Sequence, residues 1–271
     1  MNPNYQLFNE DCLEAMKRIP DRSVDMVMCD LPYGTTACKW DTIIPFEPLW
    51  TAYKRVCKKN AAIVLTASQP FTSALVMSNP TWFKYTWTWI KSRPGGFVSA
   101  KLKPMKATED VVVFSEGATA NGSNRNMPYF PQGLAANSKP WKRPAKYKGS
   151  EGVSYMRQSH KLERTAEFTG YPRDVLEIAN PNNEVLHPTQ KPVALMEYLI
   201  RTYTNEGEMV LDNCMGSGTT GVACAQTGRH FIGIEKDTQH GYFAIAKARI
   251  EAAFAAASKP APIMDDLFAA A

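Results

Sequence analysis

One stretch limits the fold of this chain more than any other. Met209-Val210-Leu211-Asp212-Asn213-Cys214-Met215-Gly216-Ser217-Gly218-Thr219-Thr220-Gly221 is an apolar strand running into a glycine-rich turn, and residues 222–226 continue as a helix. A second short strand, residues 231–234, then ends at Glu235. Glycines let a backbone turn tightly and approach a ligand, while a helix N-terminus offers free N–H groups. Glu235 stands where a nucleoside-binding α/β fold places the carboxylate that accepts from ribose hydroxyls. Gly216, Gly218 and Gly221 also fit the G-x-G-x-x-G fingerprint, so a dinucleotide oxidoreductase is a rival reading. No Gly-Lys-Ser/Thr follows, which argues against a nucleoside-triphosphate P-loop.

A second feature lies far upstream. Residues 24–29 form an apolar run that reads as a buried strand, and Asp30-Leu31-Pro32-Tyr33-Gly34 follows at once. Such a strand presents a carboxylate, a stiffened backbone and an aromatic ring at its carboxyl end, where open α/β sheets bind ligands. Alone, the four residues also fit an ordinary proline-containing turn.

Together the two stretches resemble the amino-group DNA methyltransferases that use S-adenosylmethionine. Asp30-Leu31-Pro32-Tyr33 looks like the D-P-P-Y motif of that family, with Leu31 in place of its first proline. Leu211 to Thr220 looks like the L-D-P-F-x-G-S-G-T-T cofactor loop, with Asn213-Cys214 in place of Pro-Phe. His187-Pro188-Thr189-Gln190-Lys191-Pro192 looks like the H-P-T-Q-K-P segment that precedes the loop. Catalytic motif first and cofactor loop last is the order of the β group.

The resemblance implies a Rossmann-like α/β fold: a seven-stranded, mostly parallel sheet with one reversed strand near its edge and helices on both faces. It makes Asp30, Leu31, Pro32 and Tyr33 catalytic: the Asp30 carboxylate and the Leu31 carbonyl would accept from the target amine, and Tyr33 would stack on the flipped base. Asp212 would bind the methionine ammonium, Glu235 the ribose and Lys191 the region of the carboxylate. Asp11, Cys12, Asn213, Cys214, Gly216, Ser217, Gly218, Thr219 and Lys236 would complete the cofactor site. Read from the sequence alone, Asp11 is equally a helix N-cap. Aspartate at the first catalytic position favours adenine N6 over cytosine N4. A DNA-binding protein with a silent site is the reading of another class, and intact Asp30, Pro32 and Tyr33 speak against it.

At 271 residues the chain can bury a full core. No apolar run approaches a membrane span, and the polar start is no signal peptide. Six cysteines without ligand spacing suggest no metal and point to buried thiols in a reducing cytosol. A net charge of +5 permits a nucleic-acid partner without demonstrating one.

Along the chain, residues 5–9, 61–67, 85–91 and 110–114 read as strands, and residues 13–19, 47–58, 71–77, 193–203 and 242–257 as helices. No acidic residue occurs from Lys91 to Lys106. This loop, with Lys91, Arg93, Lys101 and Lys103 around Gly95-Gly96, suits phosphate contact, or equally guards a sheet edge. From Ser115 to about Ile178 the α/β pattern stops, and Lys142, Arg143 and Lys146 interleave with Trp141 and Tyr147. The family places its target-recognition region here; the competing reading is an irregular cover over the core. The expected divisions are a catalytic half (1–114), a recognition insert (115–180), a cofactor half (181–257) and a flexible tail (258–271). Expected partners are double-stranded DNA, a second copy of the chain and, through Asp266, Leu267 and Phe268, a bacterial sliding clamp. A tail that folds back or stays disordered is the simpler alternative for those last residues.

Overall fold

A computed structural model describes residues 4–35, 41–143, 164–181, 190–237 and 239–258. They form two compact units, residues 1–130 with 174–271, and residues 131–173.

The larger unit is built on one sheet. Its strands are β1 (Tyr5–Asn9), β2 (Val24–Asp30), β3 (Cys57–Ala67), β4 (Phe83–Gly95), β5 (Lys106–Phe114), β8 (Val175–Glu177), β9 (Met209–Asp212) and β10 (His230–Glu235). The spatial order is β1-β10-β9-β2-β3-β5-β4-β8. β5 runs antiparallel to both neighbours, and every other pairing is parallel. This is the expected seven-stranded sheet with one reversed strand, extended by the three-residue β8 along the edge of β4.

Period-two alternation explains the apolar runs. Val27 and Cys29 of β2 point to one face, where they join Ile63, Leu65, Leu49, Tyr53 and Leu75. Met26 and Met28 point to the other, with Val64, Val111, Leu199, Ala223 and Ile250. A parallel strand covered on both faces has no polar side to show, so its sequence reads as unbroken apolar residues. The first face carries α1 (Cys12–Met16), α2 (Phe46–Val56) and α3 (Phe71–Ser78), and the second α4 (Val193–Tyr203), α5 (Thr219–Thr227) and α6 (Tyr242–Ala257). The Tyr5 ring lies 5.0 Å from that of Phe254, so the two ends of the described chain meet at one sheet edge.

At the sheet centre β2 pairs with β9, Met26 opposite Val210 and Val27 opposite Leu211. From here the strands continue outward in opposite directions, so the crevice at their carboxyl ends is the topological switch point. Both sequence motifs open into it.

The smaller unit falls within the residues expected to form the insert. β6 (Ala135–Arg143) and β7 (Arg164–Thr169) pair antiparallel, with a register shift between Ala136 and Trp141. Ala135, Ala136, Thr165, Phe168 and Thr169 are all exposed, so among the residues whose burial is described no buried face imposes an alternating pattern, and Pro140 interrupts the sequence of β6.

Candidate active site

Asp30 ends β2 with both carboxylate oxygens engaged. Oδ1 accepts from the Thr66 hydroxyl, and the Tyr33 hydroxyl lies 2.7 Å from it. Oδ2 accepts from the Lys191 ammonium at 2.7 Å. Lys191 is only 6% exposed and lies 3.4 Å from Glu109 Oε2, while Lys91 pairs with Glu109 Oε1. Four charges therefore alternate from the β4–β5 hairpin to the end of β2: Lys91, Glu109, Lys191, Asp30. Burial disfavours the Lys191 ammonium, but Asp30 and Glu109 outweigh it, and the pKa is raised. Burial, then the Asp30 and Glu109 charges, push the Tyr33 phenol well up, so it stays a donor. A carboxylate offers about four acceptor positions. Two on Oδ1 and one on Oδ2 are taken, which leaves one on Oδ2, and Asp30 lines the cavity described below.

The Tyr33 ring stacks on Phe71 at 5.3 Å, with Lys191 5.6 Å from its centroid. Beyond it, Asp41 accepts from the Gly34 and Thr35 amides at 2.8 and 2.9 Å and so fixes the loop after the motif.

The glycine-rich turn is anchored from below. Asp212, 3% exposed, accepts from Thr220 Oγ1 at 2.6 Å and from the Cys214 amide at 3.1 Å. Burial pushes its carboxyl up to about 7, against the pull of those two bonds. Asn213 accepts from the Tyr53 hydroxyl at 2.6 Å. Gly218 has φ +81°, and a Cβ there would sit 3.1 Å from the Ala246 Cα. At Gly221 a Cβ would lie 2.7 Å from Ile250 and from Phe231, so this glycine seats α5 against α6 and β10. Glu235 accepts from the Gly216 amide at 2.8 Å, and burial raises its pKa. Arg249 holds the Ser217 carbonyl at 2.5 Å, and the Ser217 hydroxyl lies 3.2 Å from Gln190 Oε1. Asp11 caps α1 by accepting from the Leu13 amide at 3.0 Å, and Lys236 reaches its other oxygen at 3.2 Å. The Cys12 and Cys214 thiols are mutual neighbours, both with raised pKa.

A cavity of about 820 Å³ joins Asp30 and Lys191 to Asp212, Gly216 and Glu235. Its residues fit S-adenosylmethionine. Asp212 is a buried acid and Glu235 a half-buried one, both without a cation among the described residues; the first is suited to an ammonium and the second to a ribose diol. A Cβ at Gly216 would meet nothing within 4 Å, so the backbone borders open space there. Bound here, the cofactor supplies an electrophilic methyl group.

The residues expected to meet DNA are spread more widely. Lys91 turns inward to Glu109 and lies 5.4 Å from the Trp89 ring centroid. Arg93 contacts Asn180 and Pro181. Lys101 and Lys103 are exposed. Lys142 and Arg143 fall on β6, opposite Thr165 and Arg164. Lys146, His187 to Thr189 and the tail residues Asp266, Leu267 and Phe268 lie outside the described residues. Thr66, Glu109, Asp41 and Arg249 were not singled out by sequence. None carries a local signal, since each acts on a partner distant along the chain or across a loop.

Comparison with known proteins agrees with this geometry. A family model described as DNA methylase matches residues 24–247. The type II methyltransferase M1.MboII of Moraxella bovis is 25% identical over 254 residues, spanning 85% of this chain and 91% of its own. M2.DpnII of Streptococcus pneumoniae is 52% identical over a shorter 66 residues, 24% of each chain. Among solved structures, the M1.HpyAVI–SAM complex superimposes with TM-score 0.58 at 25% identity, over 90% of this chain and 99% of that one. The cytosine-N4-specific PvuII methyltransferase shares the fold, with TM-score 0.58 at 15% identity over 94% and 92% of the two chains. The dinucleotide-oxidoreductase alternative falls away, and the chain belongs to the family of amino-group DNA methyltransferases, whose methyl donor is S-adenosylmethionine.

Proposed function

We propose that this methyltransferase modifies the exocyclic N6 of an adenine turned out of double-stranded DNA. The observation that carries the proposal is Asp30 itself, a carboxylate with one open acceptor position beside the cofactor turn. An exocyclic amine is a poor nucleophile because its lone pair is delocalised into the ring. Hydrogen bonds from its two protons to Asp30 Oδ2 and to the Leu31 carbonyl favour a more tetrahedral nitrogen, with the lone pair aimed at the methyl donor. The nitrogen would take the methyl group as the donor's carbon–sulfur bond breaks, leaving the sulfur as a neutral thioether, and would shed one proton to Asp30 Oδ2. No covalent bond to the protein is required, and positioning supplies most of the acceleration. Lys191, Thr66 and Tyr33 fix the carboxylate, which saves reorganisation at the moment of reaction. Target choice is assigned to residues 115–180, and phosphate contact to Lys101 and Lys103 of the β4–β5 hairpin.

The test is transfer of a labelled methyl group to DNA, followed by mass spectrometry of the nucleosides. N6-methyladenine is expected, and N4-methylcytosine would reassign the acceptor. Asp30→Ala should abolish transfer while calorimetric binding of S-adenosylmethionine persists. Near-normal turnover in that variant would remove Asp30 from the mechanism.

A further inference from the structure

The β4–β5 hairpin carries an apolar tip that nothing else in the site uses. β4 and β5 pair from Phe83–Phe114 up to Gly95–Lys106. Trp89 and Lys91 on one strand, with Glu109 and Lys106 on the other, line the same cavity as Asp30. Between Ile90, opposite Thr108, and Gly95, opposite Lys106, the register shifts, so β4 bulges against β5 where the hairpin leaves the rim of the cavity.

Its tip is an ordered turn. Gly96 at φ +89° leads into a 3₁₀ turn, Phe97–Ser99. Backbone amides of Ser99, Ala100, Leu102 and Lys103 close it through bonds of 2.9–3.0 Å. This geometry displays Phe97, Val98 and Leu102 at 80%, 100% and 89% exposure. Hydrophobic side chains held outward on an ordered turn call for a partner. Arg93, Lys101, Lys103 and Lys106 flank them in sequence, with no acidic residue from 91 to 106. That charge selects an anionic partner and opposes pairing with a second copy, which would set the same cations against each other. An apolar point flanked by cations suits a duplex, where cations take phosphates and the point enters between stacked bases.

Given the DNA methylation proposed above, on which this inference rests, we propose that Phe97, Val98 and Leu102 form a wedge. It enters the base stack beside the target nucleotide and holds the gap open while the base occupies the cavity. Extrusion of a base from a duplex costs unstacking and unpairing energy, and the wedge lowers that cost by replacing the lost stacking.

The experiment uses the full chain and a duplex carrying the site mapped by methylome sequencing of cells expressing the protein. Single-turnover methylation is compared for the wild type and Phe97→Ser/Leu102→Ser, on the matched duplex and on one with an abasic position opposite the target. On the matched duplex the variant should be slower by about tenfold or more, because unstacking becomes harder. On the abasic duplex, where the target is already loosened, its rate should return to near that of the wild type. Melting temperature and S-adenosylmethionine affinity should stay unchanged, because the substituted side chains are exposed. An unchanged rate on matched DNA overturns the wedge, and so does a loss that the abasic duplex fails to restore. A sedimentation shift from dimer to monomer that accounts for the lost rate would give the tip to a second copy instead. A wild type that methylates no DNA would remove the proposed function itself, an outcome visible before any variant is compared.

Discussion

Asp212 should make the cofactor-free protein weaken as pH rises, and cofactor binding should reverse the effect. Its carboxyl moves from an ordinary 3.8 to about 7 because burial outweighs the bonds from Thr220 and the Cys214 amide. Below pH 3.8 both folded and unfolded chains hold the proton, so the group contributes no difference. Between 3.8 and about 7 the folded chain keeps a proton that the unfolded chain has lost, and stability falls with pH. Each pH unit costs about 1.4 kcal/mol, so the full window costs on the order of 4 kcal/mol. Asp212→Asn removes the titration in nearly the same shape. Urea denaturation of the cofactor-free forms from pH 4 to pH 8 should show the variant gaining on the wild type by about that amount. The ammonium of S-adenosylmethionine, placed against Asp212, should then expel the proton. Calorimetry at pH 6 in buffers of different ionisation heat should count about one proton released by the wild type and almost none by the variant. A stability gap independent of pH, with no proton released on binding, would refute both the buried protonated carboxyl and its pairing with the ammonium.

Three further outcomes follow from packing and pairing. Lys191→Met leaves Asp30 and Glu109 without their shared cation and should cost about 3–5 kcal/mol by urea denaturation. Adding Glu109→Gln should recover part of that loss, and strict additivity of the two changes would contradict the shared pair. Tyr203→Phe strips a buried hydroxyl that accepts from the Trp87 indole at 2.7 Å and lies 3.0 Å from the Tyr85 hydroxyl. A loss of about 1–3 kcal/mol in equilibrium unfolding is expected. Gly221→Ala forces a Cβ to 2.7 Å from Ile250 and Phe231. It should destabilise by about 1–3 kcal/mol, and Ile250→Val in the same chain should relieve part of that cost.

The central sheet was legible because burial on both faces leaves a plain mark. The apolar run before Asp30 and the one before Asp212 could each be read locally, and the glycine spacing of residues 216–221 tied the second to a nucleoside site. α6 occupies the residues its composition suggested, 242–257. What escaped notice depends on contacts that span the chain. Thr66 looked like one more residue of a buried strand until its hydroxyl met Asp30. Glu109 gave no hint of standing between Lys91 and Lys191, since nothing local marks a pairing of that reach. Lys91 was read as part of a basic loop suited equally to phosphate contact or to guarding a sheet edge, because sequence records a charge and not its direction. β8 has only three residues, too few for a period, and the β6–β7 pair lacks the buried face that would write one.

The meeting of Tyr5 and Phe254 at one sheet edge has a consequence for how this molecule can be rearranged. A fold whose first strand and last described helix adjoin is topologically close to a ring. Asp30 and Asp212 stand on neighbouring strands wherever that ring is opened. Joining residue 258 back to residue 4 with a short linker and cutting within residues 131–173 would put β9 ahead of β2 in sequence. The crevice would keep its register, because β2 and β9 are held by their own ladder and not by the loop order. The order of the two motifs is therefore a property of the gene, and the chemistry is a property of the sheet.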